Sequence, residues 1–244
     1  MVKKNWLHLL VLVLLSFAGT SSYAPIAYED NRFISYVADT KKQPFQLYWK
    51  NDQGKPFRSI ASLKEWLGRN KKRLVFAMNA GMYKPDGSPQ GLFIENGIVR
   101  TPIDTSSGSG NFYLKPNGIF YTTKDGTPRI CKTPAFVNNG TVRYATQSGP
   151  LLVIDDQIHP AFNKTSVNLN VRNGVGILPG NKILFAMSKK EINFYEFAGY
   201  FKNKGCRWAL YLDGLVSRTY LPEKGWTQMD GNFGVIIGVV VDEH

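Results

Sequence analysis

Between residues 90 and 188 the chain is cut into short apolar runs, each closed by Gly, Asn or Asp. The pieces are "QGLFIENGIVR", "NFYLKPNGIFYTTKDGTPRI", "VRYATQSGPLLVIDDQIHPAF" and "NVRNGVGILPGNKILFAMS". Runs of this kind are too short for helices, and "ENG" and "KDG" are hairpin signals between them. The middle of the chain is therefore expected to be antiparallel sheet.

Two segments follow a helical period instead. In "SIASLKEWLGRN", Ile60, Leu63, Trp66 and Leu67 share a face; Ser59 or Ser62 can cap the start, and Gly68 or Asn70 can end it. In "EINFYEFAGYFKNKG", Phe194, Phe197, Ala198 and Phe201 share a face, and Gly205 ends the helix. Each leads into a buried strand, "RLVFAMNA" or "RWALYLDG", that finishes at Asn79 or Asp213 with a Gly close behind. Residues 25–37 and 44–50 read as extended, and "NFGVIIGVVVD" as the last strand. The expected fold class is α+β, with mixed, largely antiparallel sheets and two main packing helices. The repeated helix–strand unit fits an internal duplication around one cleft, and it fits coincidence equally.

The N-terminus carries a separate signal. Lys3 and Lys4 precede an apolar run over 7–18 and a small-x-small site at 22–24, the layout of a secretory signal peptide over residues 1–24. The apolar run is shorter than the roughly 20 residues a spanning helix needs. Residues 25–244 are then one exported domain, periplasmic or secreted, with no membrane span after cleavage. The formal charge is +12, or +10 without Lys3 and Lys4. A basic exported surface suits an anionic glycan or sugar-phosphate partner as well as simple solubility, and scattered lysines outside the cell give no case for nucleic acid. The sequence leaves the oligomeric state open. Cys131 and Cys206 can pair in an oxidising compartment, but their spacing matches no disulfide framework or metal pattern, and Cys206 also reads as a small buried residue at a strand entrance.

The residue inventory narrows the chemistry. His8 lies in the leader and His244 is the last residue, leaving His159 inside, so a His-rich zinc site cannot be built. Ser148 and His159 formally allow a serine hydrolase, but "TQSGP" lacks the nucleophile elbow. "SSGSG" lacks the strand–helix context of a dinucleotide site. Asp155 and Asp156 can hold Ca²⁺ with nearby carbonyls, though paired turn carboxylates are usually just solvated; no cofactor is expected. Carboxylate, amide, hydroxyl and guanidinium groups remain, and they suffice for glycosyl transfer through an oxocarbenium-like transition state.

Six ordered blocks, "NAGMYKPDGSPQGLFIENG", "NFYLKPNGIF", "ATQSGPLLV", "IHPAF", "VRNGVGI" and "ALYLDGLVS", resemble the phosphodiester glycosidase family over about residues 74–240. The resemblance implies hydrolysis of a sugar–phosphate diester at the anomeric carbon on a mixed α+β fold. Asn79 and Gly81 match its first strand-end motif and Gly91 the following turn; Ser148, Gly149 and Pro150 match the central block; Arg172 and Gly176 a block that more often reads P-R-T-A-I-G; and Asp213, Gly214 and Ser217 one usually written L-D-G-G-x-S. Leu215 stands where the second Gly is common, a departure that changes the pocket wall.

Roles follow from the chemistry. A guanidinium suits a diester phosphate, which points to Arg172, although most arginines in such a chain serve surface ion pairs. A phosphate monoester, with its second ionisation near pH ~6, leaves without a strong acid, so one carboxylate carries most weight. That is Asp213, as nucleophile, base or electrostatic stabiliser, or else a turn residue. Glu95 is the candidate second carboxylate, in a hairpin where Glu is usually solvated. Asn79, Gly81, Gln147, Ser148, Gly149 and Ser217 are the candidate substrate-binding positions; the polar ones can equally satisfy loop backbone. The alternative function is a non-catalytic envelope protein that binds glycan or phosphate polymer.

Overall fold

The Gly- and Asn-ended runs fold as strands in a computed structural model that describes residues 30–243, apart from Pro44 and Leu215. The expected signal segment lies outside the described residues. From Asn31 on, the chain is one compact unit. The "ENG" turn works as its chemistry requires: Asn96 and Gly97 both take positive φ (50° and 80°), which only a short hairpin loop of the primed type needs. Asp155 and Asp156 make a second such turn, with φ of 49° and 64°.

The first part of the chain supplies β1 (Phe33–Ala38), β2 (Phe45–Tyr48), helix α1 (Ile60–Arg69) and β3 (Lys72–Asn79). The middle supplies β4 (Phe93–Glu95), β5 (Ile98–Thr101), β6 (Gly118–Thr123), β7 (Pro128–Lys132) and β8 (Val142–Ser148). Next come β9 (Leu151–Ile154), β10 (Gln157–Ile158), β11 (Asn173–Leu178) and β12 (Lys182–Ser188). Helix α2 (Phe194–Asn203), β13 (Trp208–Asp213), β14 (Thr219–Leu221), β15 (Trp226–Thr227) and β16 (Ile236–Asp242) complete the order.

Three antiparallel sheets result. Their strand orders are β1-β12-β11-β13-β9-β10, β15-β14-β3-β16-β2 and β5-β4-β8-β6-β7. One face of each meets a shared core built from residues such as Phe45, Phe76, Phe93, Phe120, Phe185, Leu210 and Leu212. The helices cover outer faces: Ile60, Leu63 and Leu67 of α1 pack with Leu74, Ala77 and Ile236. Phe197, Ala198 and Phe201 of α2 pack with Leu152, Ala209 and Tyr211. The fold is therefore mixed α+β with two packing helices, as the apolar periods indicate.

Local departures have causes. Helix α2 begins at Phe194 rather than Glu191, because Ile192 bridges to Asn170 and Asn193 caps the helix by accepting from the Glu196 N–H (2.9 Å). Cys131 and Cys206 are both free thiols, and burial raises them to about 11 and about 12 respectively. Asp155 and Asp156 face the Arg207 guanidinium, at 2.5 and 3.6 Å. Among the described residues, no helix is long and apolar enough to cross a membrane.

Candidate active site

The two helix–strand units lie in different sheets, yet their last residues touch. Asn79 Nδ2, at the end of β3, donates to Asp213 Oδ2, at the end of β13 (3.1 Å). Asn79 Oδ1 accepts from Asn173 Nδ2 (2.8 Å) and from the Arg218 N–H (2.9 Å). Asn173 Oδ1 accepts from the Asp213 N–H (2.8 Å), and the Gly214 N–H donates to Asp213 Oδ1 (2.6 Å). A carboxylate taken from water needs such donors, because leaving a buried polar group unpaired costs about 1–3 kcal/mol and a charge more. The β11–β13 register shifts between Asn173 and Gly174, so that Asn173 faces Asp213 while Gly174 faces Tyr211. Such a bulge re-aims a strand end.

Asp213 is 7% exposed, and that exposure opens on a cavity of about 350 Å³. Its other borders are Met82, Tyr83, Lys84, Pro85 and Gln90 from the loop after β3, Asn111, and Tyr211 and Gly214 beside Asp213. The cavity thus sets one carboxylate, one lysine, two phenols and two amides around a space of small-ligand size. Burial, and next the Asp213 charge, raise the Tyr83 hydroxyl above its ordinary value, against an opposing Arg58. Burial does the same for Tyr211, against Arg172. Both phenols keep their protons at neutral pH.

Tyr211 fits because residue 214 is glycine. A Cβ at that position would sit 1.6 Å from the Tyr211 hydroxyl oxygen. That oxygen takes a hydrogen bond from Arg172 Nη1 (3.4 Å). The Tyr211 ring packs edge-on against Phe194, with centroids 4.8 Å apart.

Arg172 does not present a bare fork to the cavity, as the phosphate-binding expectation required. It is 0% exposed: Nε donates to Ile192 O (2.8 Å), and Nη2 to Asn168 O and Oδ1 (2.8 and 3.0 Å). Its guanidinium carbon lies 3.7 Å from the Phe194 ring centroid. A desolvated cation–π contact of this kind contributes roughly 2 kcal/mol. Its link to the cavity is Nη1, which donates to the hydroxyl of Tyr211, a residue of the cavity border.

The remaining predicted positions do not border the cavity. Gln147 Oε1 accepts from the Leu92 and Asp104 N–H groups (2.9 Å each) and Nε2 donates to Asp104 O (2.6 Å), which ties two loops to β8. Ser148 Oγ donates to Leu212 O (2.9 Å), and Ser217 Oγ lies 3.1 Å from both Val171 O and Asp213 O. A Cβ on Gly81 would lie 2.5 Å from Thr146 Oγ1, and one on Gly149 2.7 Å from Phe112 O, so both mark close backbone approaches. Glu95 sits in the third sheet, 3.2 Å from Arg100 Nε, and does not join Asp213. His159 accepts from the Ala161 N–H (3.1 Å) and stacks on Phe162, so Ser148 and His159 make no nucleophile–base pair. Reading single residue types missed Tyr83, Lys84, Asn111, Asn173 and Tyr211. The signal for two of them was there, in "GMYKPDG" beside Asn79.

A family model described as phosphodiester glycosidase (NAGPA) matches residues 72–236. The chain belongs to the phosphodiester glycosidase family. That match takes in Asn79, Asn173, Tyr211 and Asp213. Among curated relatives of this family member is the uncharacterized protein YigE of Escherichia coli (strain K12). It is 32% identical over 188 residues, which is 77% of this chain and 73% of YigE. The catalytic domain of zebrafish N-acetylglucosamine-1-phosphodiester alpha-N-acetylglucosaminidase, auto-inhibited by its pro-peptide, shares the fold with TM-score 0.60 and 14% identity. That alignment covers 89% of this chain and 84% of the zebrafish chain. A putative exported protein from Burkholderia pseudomallei K96243 aligns at TM-score 0.52 and 10% identity, over 85% of this phosphodiester glycosidase family member and 73% of the other chain.

Proposed function

We propose that this protein is an exported hydrolase that cleaves the glycosidic bond of a sugar-1-phosphodiester in the cavity beside Asp213. The carrying observation is the Asp213 carboxylate, fixed by Asn79 and the Gly214 N–H at the border of a cavity that also holds Lys84. Membership of the phosphodiester glycosidase family supports the reaction class. The leader-like residues 1–24 support export of one domain to the periplasm or medium.

In this reading Lys84 meets the diester phosphate, and the ring hydroxyls face Gln90 and Asn111. Water adds at the anomeric carbon as its bond to the phosphate oxygen breaks. The bonding electrons leave with the phosphomonoester, and the water proton passes to Asp213. The phosphate is a good leaving group, so no second carboxylate is required, and Glu95 has no part. No cofactor enters the scheme.

The test is to incubate the protein lacking residues 1–24 with UDP-N-acetylglucosamine and a panel of other sugar-1-phosphodiesters, and to assay free sugar. Release by the wild type and its loss in Asp213→Asn is the expected result. Binding across the panel without any release, in either protein, would replace the hydrolase by the glycan- or phosphate-polymer-binding alternative.

A further inference from the structure

Arg172 poses a problem of its own: a fully buried guanidinium, with no carboxylate partner among the described residues, costs several kcal/mol to desolvate. Its Nε and Nη2 are satisfied by Ile192 and Asn168, and a ring lies against its face. The remaining nitrogen, Nη1, points at Tyr211 Oη. A guanidinium nitrogen can only donate, so this contact uses the acceptor side of the phenol oxygen. A phenol oxygen offers one proton and a limited acceptor capacity. With Arg172 donating to it, the hydroxyl has its own proton left over for a different direction. Tyr211 borders the cavity together with Asp213 and Gly214. Gly214 lets the hydroxyl come right up to the turn that follows Asp213.

We propose that Tyr211 is a further catalytic residue of this site, whose hydroxyl donates a hydrogen bond to the phosphate of the departing phosphomonoester, and that Arg172 is the positioning residue that orients and polarises it. The inference rests on the hydrolase reading for its catalytic part only; the anion-binding part stands by itself. No proton is transferred by Tyr211. Its O–H remains intact while negative charge grows on the phosphate, so its contribution is stronger in the transition state than in the ground state. An anionic leaving group is thus met by a neutral donor with a buried cation behind it, and Lys84 supplies the direct charge. The substrate class this arrangement favours is a diester whose leaving group carries a fixed phosphate charge, over a plain alkyl glycoside that would need a proton donor instead.

Two readouts test this. On whichever sugar-1-phosphodiester the wild type cleaves, Tyr211→Phe is expected to lower kcat about 10²-fold, with KM changed only a fewfold and the melting temperature kept within a few degrees. Arg172→Lys is expected to lose part of that activity and Arg172→Met more. Tyr211→Phe/Arg172→Met should be no slower than the worse single variant, a non-additivity that mere loss of packing would not give. Unchanged kcat in Tyr211→Phe overturns the proposal. The second readout needs no turnover: titration with inorganic phosphate, followed by ³¹P NMR line broadening. The wild type is expected to bind it and Tyr211→Phe to bind it at least about fivefold more weakly, about 1 kcal/mol. Equal affinity, or no binding by the wild type, overturns the role of Tyr211. Phosphate binding lost in Tyr211→Phe, with no sugar released from any diester, sinks the hydrolase reading and leaves Tyr211 as the anion donor.

Discussion

Helix α1 with β3 and helix α2 with β13 share a plan: one helix on the outer face of a sheet, then a strand whose last side chain reaches the same hydrogen bond. They differ in what surrounds that end. The α1 unit buries three aliphatic side chains, Ile60, Leu63 and Leu67, and delivers an amide that holds something else. The α2 unit buries Phe194, Phe197, Tyr200 and Phe201, and its first residue lies over Arg172, which in turn touches Tyr211. It delivers the carboxylate. One unit is scaffold with a single polar contribution, and in the other the packing of the helix and the chemistry of the site are the same contacts. A shared local architecture fixes where a side chain ends up, while its neighbours fix what it can do.

The strongest test of that contrast exchanges the acid for an amide. Asp213→Asn keeps the shape but leaves a single acceptor oxygen for the Gly214 N–H and Asn79 Nδ2, so the fold should lose about 1–3 kcal/mol while sugar release falls about 10²–10⁴-fold, about 3–5 kcal/mol of barrier. Equal activity would make the two strand ends interchangeable and end the contrast. Next comes a pair of core variants, Phe194→Leu in α2 and Leu63→Ala in α1. Leu63→Ala should lose about 2–5 kcal/mol of stability in urea unfolding, yet leave kcat of the folded fraction unchanged. Phe194→Leu should lose less stability, about 1–2 kcal/mol for a large-to-smaller apolar swap, and lower kcat severalfold because Arg172 loses its ring. If both variants affect kcat alike, α2 has no special link to the site.

Asn79→Ala sharpens the comparison from the scaffold side. It strips a donor from Asp213 and an acceptor from Asn173 and the Arg218 N–H. A loss of about 1–3 kcal/mol of stability is expected, together with a drop in kcat smaller than that of Asp213→Asn. The smallest effect belongs to Glu95→Gln, which should leave kcat within about twofold of wild type and stability within about 0.5 kcal/mol. Its carboxyl is held above the ordinary value by burial, with Arg100 opposing. A carboxyl raised in the folded state binds its proton there more tightly than in the unfolded chain, so the fold loses a little stability as pH rises from the ordinary carboxylate range through the raised value. Glu95→Gln should remove that slope in melting temperature measured across the acid range.

The sheets and both helices were legible in the chain because their signals are local: Asn96-Gly97 dictates its own hairpin, and Ser59 and Asn70 bound α1. Asp213 was legible as a strand-end acid for the same reason. What could not be read is how far each polar group is already engaged. Gln147, Ser148 and Ser217 resemble ligand-binding residues in sequence, but their partners are backbone groups of segments remote in the chain, such as Leu212 O and Asp104 O. Arg172 stands out in the sequence by its charge, but its burial under Phe194 depends on where α2 starts, which the Asn170–Ile192 bridge decides. Tyr211 passes as one more apolar residue of a buried strand until the glycine at 214 and the cavity are seen together.

Asp213 and the amide that steadies it stand 134 positions apart in the chain. Asn173, which clasps both, comes from yet another strand. No fragment holding one sheet alone can assemble the acid, so turnover reports the completion of folding and not its progress. In a refolding time course, recovery of sugar release should trail the helical circular dichroism signal and coincide with the last docking of sheet on sheet.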